Sequence, residues 1–311
     1  MNSRVLVFGS INMDLVAKVP HLPIPGETLQ GHSFATVPGG KGANQAVAAA
    51  RLEVPTAIVG RVGNDQFGQE LLQNLQSDRV QTDNVYIDPS TTSGVAIIAV
   101  DDNAENHIVV ISGANGNVGE EDIERLTPLL PTASILLLQL EIPLSAVQKA
   151  AQAAQQAGVK VILDPAPAPT ELPSELYSLV DIITPNAVEA EQLVHFAVNT
   201  PESAEKAALL LQQRGVKTAI IKLGAKGVFC ATINETFFIP AFSVKALDTV
   251  AAGDAFNGGL AAALSQGYSL REAVTWGAAS GALSATTSGA QSSLPTRQRV
   301  EAFLQEHQAP R

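Results

Sequence analysis

The sequence of 311 residues predicts an α/β protein built on a mainly parallel sheet with helices on both faces. Two observations support this fold class. Short runs rich in Val and Ile are apolar throughout instead of alternating with polar residues, a pattern typical of strands buried on both faces. Ala-rich and Gln/Glu-rich segments with helical periodicity separate these runs, in the order expected for successive βαβ units with right-handed crossovers.

Each predicted strand is one of these apolar runs, and in chain order the strands lie at residues 4–9, 56–60, 135–139, 159–163, 180–183 and 219–223. The predicted helices between them lie at about residues 43–52, 66–77, 144–157, 187–195 and 202–214. Pro143 and Gly158 delimit the helix at 144–157, because proline is favoured at the start of a helix and glycine just beyond its end.

One region departs from this order. The apolar runs 93–100 and 106–111 flank the polar turn 101–105, which predicts a hairpin with no helix between its strands. Further extended stretches lie near 14–19 and 33–37. We expect these four strands to form a small antiparallel sheet that closes over a cleft as a lid. The lid strands would be inserted at about 14–38 and 92–112 of a single domain spanning residues 1–311. The alternative is an edge extension of the main sheet.

Composition limits the classes of function. Hydrophobic residues make up 46% of the chain, which predicts a globular core. The 19 basic and 30 acidic residues give a net charge of −11, which argues against binding to nucleic acid or to an anionic membrane surface. Cys230 is the single cysteine, and the apolar run at 5–8 is too short for a signal peptide. These features predict a soluble cytoplasmic protein without a spanning helix.

The first candidate site is Asp248-Thr249-Val250-Ala251-Ala252-Gly253-Asp254, which leads into an Ala-rich helix through about residue 265. The N-terminus of a helix attracts anions because its amides are free and its dipole is positive there. Asp254 could simply cap this helix. The small residues before it favour a base instead, because phosphoryl transfer needs cleared space and a base for the attacking hydroxyl.

The second candidate site, Pro38 to Ala46, places three glycines around Lys41 at the start of a predicted helix. Such a segment brings backbone amides close to a ligand. It departs from the dinucleotide fingerprint at Gln45, and from the P-loop pattern at Ala35 and Gly42. The missing fingerprint disfavours a nicotinamide-dependent oxidoreductase. A plain loop with a solvated lysine is the alternative.

Three shorter segments also follow predicted strands. Asn12 and Asp14 alternate along an extended chain, so both could face a cleft at the carboxyl end of the sheet, although an Asx turn fits equally well. Asn186 and Glu189 have the spacing of a capping box. The segment 222–227 joins two strands and could cover nucleotide phosphates, or be an ordinary turn containing glycine.

In this order, the segments resemble the ribokinase family of phosphofructokinase-B-type sugar kinases over nearly the whole chain. The run 39–46 resembles the N-terminal signature of that family, and 248–254 resembles its C-terminal signature D-T-x-A-A-G-D. Residues 186–189 match its N-x-x-E element. Shorter matches lie at 25–28, 113–115 and 289–291. Within the family, the likeness to ribokinases rests mainly on Asn12, Asp14, the run 39–46 and residues 139–141.

The resemblance implies a ribokinase-like three-layer α/β/α fold and ATP-dependent phosphorylation of D-ribose at O5. Asp254 would be the general base, and the amides of Ala251, Ala252 and Gly253 would form an anion hole for the charge on the transferred group. The sugar would be bound by Asn12, Asp14, Gly40, Lys41, Gly42, Asn44, Glu141 and Asp254. ATP would be bound by Asn186, Lys222, Gly224, Ala225, Lys226, Gly227 and Gly253.

The resemblance also implies metal ions and a dimer. Glu189 would help to hold Mg²⁺ through water, since Mg²⁺ dehydrates reluctantly. An activating K⁺ would be bound by Asp248, Val250, Ser284, Thr287, Gly289 and Ser293, in part through backbone carbonyls. Two subunits would pack through their lids.

The chain departs from the family pattern at three positions. Lys222 and Lys226 stand where family members vary, and Ala278 stands where some relatives place a polar residue near the adenine. Trp276 and His107 are predicted to be structural.

Two other functions remain as alternatives. One is a kinase of another sugar or of a nucleoside, but the polar set at Asn12, Asp14, Lys41, Asn44 and Glu141 suits a free sugar better than a nucleobase. The other is a sugar-sensing protein without catalysis, against which stands the intact Asp254.

Overall fold

The structure is a computed structural model that describes residues 4–103 and 105–307. Ala104, within the predicted turn 101–105, lies outside the described residues, as do residues 1–3 and 308–311 of the predicted domain. Among the helices that are described, none combines the length and apolarity needed to cross a membrane.

The described chain alternates strands and helices over most of its length. The strands are β1 (Arg4–Phe8), β2 (Asn12–Lys18), β3 (Ser33–Gly39), β4 (Thr56–Gly63), β5 (Val80–Asp88), β6 (Gly94–Val100), β7 (Asn106–Ile111), β8 (Ala133–Leu138), β9 (Lys160–Leu163), β10 (Ile182–Ile183), β11 (Thr218–Lys222), β12 (Gly227–Ala231) and β13 (Thr236–Pro240). The α-helices are α1 (Lys41–Arg51), α2 (Gln66–Ser77), α3 (Glu120–Leu126), α4 (Leu144–Gln156), α5 (Ser174–Leu179), α6 (Ala187–Val194), α7 (Pro201–Gln213), α8 (Ala252–Ser265), α9 (Leu270–Ser284) and α10 (Arg297–Glu306).

The main sheet of the described residues has nine strands in the order β13-β12-β11-β10-β9-β8-β1-β4-β5. From β11 to β5 all neighbouring strands are parallel, while β12 and β13 add an antiparallel edge. Val5 and Val7 of β1 pack with α1, α2, α8, α9 and α10, whereas Leu6 and Phe8 pack with α3 to α7 on the other face. The predicted three-layer α/β/α arrangement is confirmed.

The six predicted strands and five predicted helices are all present, with small shifts at their ends. The prediction 66–77 coincides with α2. The prediction 180–183 is longer than β10, which is only Ile182–Ile183. Just before β10, the Val161 amide donates a hydrogen bond of 2.8 Å to the Asp181 side chain and not to a backbone carbonyl, so the regular strand pairing begins only at Ile182.

A second sheet, hereafter the lid, has the order β3-β2-β6-β7. The prediction of a separate small sheet is confirmed, and the alternative of an edge extension is wrong. The pairs β2–β3 and β6–β7 are antiparallel as predicted, but the central pair β2–β6 is parallel. The parallel pair arises because β2 and β6 each follow a parallel strand of the main sheet, β1 and β5, and therefore leave its carboxyl edge in the same direction.

Candidate active site

A cleft of about 670 Å³ lies where the carboxyl ends of the parallel strands meet the N-termini of α1, α6 and α8. This is the edge of an open α/β sheet at which ligands bind. Of the predicted site residues, the cleft is lined by Lys41, Asn186, Glu189, Lys222, Gly224, Ala225, Gly227, Val250, Ala252, Gly253 and Asp254. Ala278 also lines it.

Asp254 lies in the first turn of α8 and is buried, with 5% of the residue exposed. Asn44 Nδ2 donates to its Oδ2 at 2.9 Å, and Gln45 Nε2 donates to its Oδ1 at 3.1 Å. Both donors belong to α1, so the carboxylate is directed to the neighbouring helix. This geometry does not fit the alternative in which Asp254 simply caps its own helix.

The close approach of α1 and α8 explains how these donors reach Asp254. A Cβ atom added to Gly258 would lie 2.3 Å from Ala48 Cβ and 3.0 Å from the Ala49 amide nitrogen. The two helix backbones are therefore in direct contact at Gly258. One turn earlier on each helix, Asn44 and Asp254 come within hydrogen-bonding distance.

Burial raises the pKa of the Asp254 carboxyl to about 6. The positive charge of Lys41 and the donors Asn44 and Gln45 lower it, while the negative charge of Asp164 raises it further. The carboxylate is thus mostly ionised at neutral pH but more basic than an exposed aspartate. A group with these properties is suited to accept a proton during catalysis.

The predicted anion hole lies beside Asp254 at the start of α8. Ala251 is the residue before the helix, and Gly253 is open to the cleft. The Ala252 amide donates to the Thr249 carbonyl at 3.2 Å. We therefore expect this turn to open if all three amides are to face one anion.

The first turn of α1 is packed tightly against the connection between β1 and β2. Gly40 precedes α1 with φ of 87°, a left-handed conformation that favours glycine. A Cβ on Gly42 would lie 2.6 Å from the Ser10 nitrogen. Glu141 Oε2 accepts hydrogen bonds from Ser10 Oγ at 2.6 Å and from the Lys41 amide at 3.1 Å. Glu141 thereby satisfies one of the free amides at the start of α1.

Lys41 is surrounded by carboxylates. Burial alone would lower its pKa, but the negative charges of Asp254, Asp164, Glu141 and Glu189 outweigh burial and raise the pKa above its usual value. The alternative of a solvated lysine in a plain loop does not fit this environment. Lys41 therefore places a positive charge among the carboxylates that line and adjoin the cleft.

Asn12 and Asp14 lie on the same face of β2, as their spacing predicts. Asn12 is buried, and its Oδ1 accepts from Asn115 Nδ2 at 2.7 Å. Asn115 also holds both backbone groups of Ile11, accepting from its amide at 3.0 Å and donating to its carbonyl at 3.1 Å. Asn115 thus orients the Asn12 amide at the base of the lid.

Asp14 is opposite Val37 in the β2–β3 pair, and its side chain lies over Gly39, where an added Cβ would be 2.3 Å from its Oδ2. Burial raises the pKa of the Asp14 carboxyl to about 7, and the charges of Glu141 and Asp254 act in the same direction, against Lys41. The negative charges of Glu141, Asp254 and Asp14 are therefore close enough to affect one another. A cluster of acceptors of this kind suits the hydroxyl groups of a sugar.

Asn186 and Glu189 form the capping box that their spacing predicts. Asn186 Oδ1 accepts from the Glu189 amide at 2.9 Å, and Glu189 Oε2 accepts from the Asn186 amide at 2.8 Å. Both residues nevertheless line the cleft. Burial raises the pKa of the Glu189 carboxyl and Asp164 raises it further, against Lys222. Capping and ligand binding are therefore compatible at this position.

Lys222 and Lys226 have different surroundings. Lys222 Nζ donates to Asp164 Oδ1 at 3.1 Å inside the cleft. Lys226 Nζ donates to the Asn199 carbonyl, in the loop before α7. The predicted contact of Lys226 with ATP is not supported by this conformation, because the side chain is directed to that loop.

The residues predicted to bind a monovalent cation lie close together beside the start of α8. Asp248 Oδ2 accepts from the Gly289 amide at 2.8 Å, and its Oδ1 accepts from the Val250 amide at 3.1 Å. Ser284 Oγ and Ser293 Oγ are 2.7 Å apart, and the Thr287 amide donates to the Ser284 carbonyl at 3.0 Å. The Asp248 amide donates to the Ala285 carbonyl at 3.2 Å, which joins the two groups.

Asp164 and Gln139 are site residues for which the sequence reasoning predicted no role. Asp164 directly follows β9 and is buried, with hydrogen bonds to Gln45 and Lys222. Gln139 directly follows β8. The available signal was a polar residue at the carboxyl end of a buried strand.

Trp276 packs on Tyr268 with ring centroids 5.6 Å apart, and His107 is exposed on β7. Their structural role stays a prediction.

Comparison with known proteins adds to this geometry. Residues 2–297 match the sequence model of the family described as pfkB family carbohydrate kinase. Ribokinase from Haemophilus influenzae is 45% identical over 305 residues, which cover 98% of this chain and 99% of that protein. Deoxyribokinase from Salmonella typhi is 37% identical, with 96% and 98% covered. The structure of Arabidopsis thaliana ribokinase complexed with ribose and ATP superposes with a TM-score of 0.90 at 33% identity, covering 98% of this chain and 99% of the other.

Proposed function

The chain belongs to the pfkB family of carbohydrate kinases, and from this premise we propose that it phosphorylates D-ribose at O5, using ATP and giving D-ribose 5-phosphate and ADP. The observation that carries the proposal is the position of Asp254. Its buried carboxylate lies between a cluster of polar side chains suited to a sugar and a cleft large enough for a nucleotide.

The polar cluster supports a free sugar as the acceptor. Asn12, Asp14, Asn44 and Glu141 offer amide and carboxylate groups around Asp254, and Lys41 adds a cation. A nucleoside would require an apolar slot for its base in the same place. The pattern of acceptors and donors therefore favours a small polyol-like substrate.

In the proposed reaction, Asp254 accepts the proton of the 5-hydroxyl group as O5 attacks the γ-phosphorus of ATP. A bond forms between O5 and phosphorus, and the bond from phosphorus to the β,γ-bridging oxygen breaks, with the electron pair leaving on ADP. The raised pKa of Asp254 makes the carboxylate a better base while it stays mostly ionised at neutral pH.

Negative charge on the transferred group is stabilised by the N-terminus of α8 and by Lys41. The helix dipole and the amides of Ala251 to Gly253 provide partial positive charge where the phosphoryl group would pass. Lys41 provides a full charge close to Asp254. Lys41 and the axis of α8 are fixed by the fold, whereas the Ala252 amide must first leave the Thr249 carbonyl to which it donates.

As an ATP-using kinase of this family, the protein requires a divalent cation. Glu189 fits Mg²⁺ because it supplies hard oxygen atoms beside the nucleotide cleft, in a place where the charge of Asp164 already disfavours a second negative charge. We propose that Glu189 holds Mg²⁺ through water, since both of its oxygens also accept bonds from Asn186. When bound there, Mg²⁺ would neutralise part of the negative charge of the ATP phosphates.

The monovalent-cation site is a further part of the proposal. Asp248 joins the segments 248–250 and 284–289 through two hydrogen bonds, one from the Gly289 amide to its side chain and one from its own amide to the Ala285 carbonyl. The residues of these two segments, together with Ser293, offer a carboxylate, hydroxyl groups and backbone carbonyls, whose oxygen atoms are suitable ligands for K⁺. Its place next to the start of α8 couples cation binding to the geometry of the anion hole.

The lid, the domain organisation and the location complete the proposal. We treat the chain as one kinase domain with lid insertions at about 14–38 and 92–112, supported by the two described sheets. A homodimer through the lid is supported by its exposed apolar side chains. A cytoplasmic location is supported by the use of ATP and by Cys230, whose burial raises the pKa of its thiol to about 12 and keeps it unreactive.

An acceptor panel tests the proposed function. ADP release is measured with Mg²⁺ and K⁺ for ribose, fructose, deoxyribose, adenosine and no sugar, and ³¹P NMR identifies the phosphorylated position. We expect selective turnover of ribose and a lower rate when Na⁺ replaces K⁺. Asp254→Ala is the control and should lose several orders of magnitude in turnover while it still binds ribose.

The other outcomes are equally informative. Turnover of deoxyribose or fructose in preference to ribose would keep the kinase and overturn the assigned sugar. A folded protein that releases no ADP with any acceptor would contradict a sugar kinase. Comparable turnover in Asp254→Ala would remove Asp254 from the role of base.

A further inference from the structure

Gln45 joins the two buried carboxylates of the site. Its side chain is fully buried, and its Nε2 donates to Asp254 Oδ1 at 3.1 Å and to Asp164 Oδ2 at 2.9 Å. The other oxygen of Asp164 accepts from Lys222 Nζ at 3.1 Å. A single amide group therefore connects the proposed base to an ion pair in the nucleotide cleft.

The orientation of this amide is held by Gln139. Gln139 Nε2 donates to Gln45 Oε1 at 2.7 Å, and Gln139 is itself fully buried. If the Gln45 amide were rotated by half a turn, its oxygen would face two carboxylates and its NH₂ group would face another NH₂ group. Both contacts would be repulsive, so the observed orientation is the one that gives the Gln45 oxygen a donor and the Gln45 nitrogen two acceptors. Gln139 Oε1 has no hydrogen-bond partner among the described residues.

Asn44 and Gln45 together hold both oxygens of Asp254. Asn44 donates to Oδ2 and Gln45 donates to Oδ1, from neighbouring positions of the first turn of α1. This leaves the plane of the carboxylate defined by two bonds of known direction. Each oxygen keeps a free lone pair that the acceptor hydroxyl could use.

We infer that Gln45 is a positioning residue for phosphoryl transfer: it fixes the Asp254 carboxylate through one amide hydrogen and the Asp164–Lys222 pair through the other, in an orientation held by Gln139. The inference rests on the proposed function. Gln45 acts through Asp254 and is not expected to touch the sugar, which distinguishes it from Asn44.

Three substitutions test the inference. Gln45→Met keeps the volume of the side chain and removes its hydrogen bonds, and Gln139→Met removes only the group that orients Gln45. Gln212→Met is the matched control, because Gln212 Nε2 also donates two hydrogen bonds, to the Lys217 and Ala231 carbonyls at the opposite edge of the sheet. The readouts are kcat, the KM for ribose and the pH dependence of kcat.

We expect Gln45→Met to lower kcat by roughly 10- to 100-fold, since a small misplacement of a base is costly, and to change the KM for ribose by less than about 3-fold. The acid limb of the kcat profile should move to higher pH, because the carboxylate loses a donor that favours its charged form. Charges that also face Asp254, namely Lys41 on α1, Asp164 after β9 and Asp14 on β2, are unchanged. Gln139→Met should act in the same direction with a smaller effect, and Gln212→Met should match the wild type.

A second readout does not depend on turnover. The titration of the Asp254 carboxyl in the unliganded protein is followed by ¹³C NMR and assigned with Asp254→Asn. Its midpoint should rise in Gln45→Met and, less, in Gln139→Met. Unchanged midpoints and unchanged kcat in both folded variants would overturn the inference. An inactive wild type would instead overturn the proposed function, while the titration would still decide the role of Gln45.

Discussion

Asp14 and Asp254 are two carboxylates that the fold keeps near each other, with Asp254 buried and Asp14 partly buried. Burial raises the pKa of both, to about 7 and about 6, above the value of 3.8 for an unperturbed aspartate. At pH values between 3.8 and these raised pKa values, the folded protein binds more protons than the unfolded chain. The free energy of unfolding therefore falls as the pH rises through this range. The site is therefore a source of instability at neutral pH, as expected where function and stability conflict.

Asp14→Asn should stabilise the unliganded protein in a pH-dependent way. The substitution keeps the shape of the side chain and removes the buried charge. We expect the gain in the free energy of unfolding to be small near pH 4, to grow as pH rises, and to level off above the folded pKa of about 7. At pH 8 the gain should be roughly 1–3 kcal/mol, measured by urea denaturation. The KM for ribose should rise at the same time.

Asp83→Asn is the control for this prediction. Asp83 is exposed on β5, so its substitution should change the free energy of unfolding by less than about 0.5 kcal/mol at any pH. If Asp14→Asn were equally neutral at pH 8, the carboxylate of Asp14 would not be destabilising, and its proposed environment would be wrong.

From the sequence alone, site residues could be predicted where a short local pattern marks them. Asp254 follows a run of small residues at a helix start, and Asn186 and Glu189 have the spacing of a cap. Gln45 and Asn115 could not be predicted in the same way. Gln45 contacts Asp254, 209 positions along the chain, and Asn115 contacts Asn12, 103 positions away. Such contacts depend on which helices, strands and turns become neighbours in the fold, which no local pattern specifies.

At the scale of elements, the contact between α1 and α8 decides the geometry of the site. The contact depends on Gly258, where a side chain would meet Ala48 and the backbone of Ala49. A backbone cannot give way as a flexible side chain can, so the helices would have to separate. Since the donors to Asp254 are on α1 and Asp254 itself is on α8, any separation acts directly on the proposed base.

Gly258→Ala should therefore reduce both stability and activity. We expect a loss of roughly 1–3 kcal/mol in the free energy of unfolding from overpacking, although alanine is favoured in helices by up to about 1 kcal/mol. Turnover should fall by about 10-fold or more, because Asp254 moves away from Asn44. Urea denaturation and kcat measure the two effects.

Gly119→Ala provides the comparison. A Cβ at Gly119 would have an ordinary contact of 3.7 Å with the Asn117 carbonyl, and its φ of −159° is accessible to any residue. This variant should behave as the wild type. If Gly258→Ala did so too, the close contact of α1 and α8 would not be what positions Asp254.

Two of the elements that the sequence did not predict, β5 and α9, each have an identifiable physical reason. β5 is an edge strand with exposed polar residues, so it lacks the continuous apolar run of the buried strands. α9 contains glycines and serines on the face that packs against α8, where Gly277 lies against Phe256 and Ser280 lies against Gly259. Close helix contact is achieved there with small residues, which weakens the usual signal of large apolar side chains at helical spacing.

At the scale of the whole molecule, the lid has two exposed edges. β7 is an outer strand of the lid, and its residues Ile108, Val109, Val110 and Ile111 are all exposed, with Val109 at 59%. An exposed apolar edge strand tends to pair with another chain. In addition, Ile97 of β6 is exposed and is paired with Val109, so the same face of the lid presents a contiguous apolar surface.

This surface leads to the last prediction, which concerns the dimer. If two lids pack together, Val109→Asp should place a charge in the interface and convert the dimer to a monomer, as measured by light scattering after gel filtration. Ile233→Asp is the matched control, because Ile233 is 80% exposed in the turn between β12 and β13. That variant should remain dimeric. Since Asp14 and Asn12 lie on β2 of the same sheet, the monomer should also have a higher KM for ribose. The proposed dimer interface on the lid would be wrong if the wild type were monomeric at micromolar concentration, or if the Val109→Asp variant stayed dimeric.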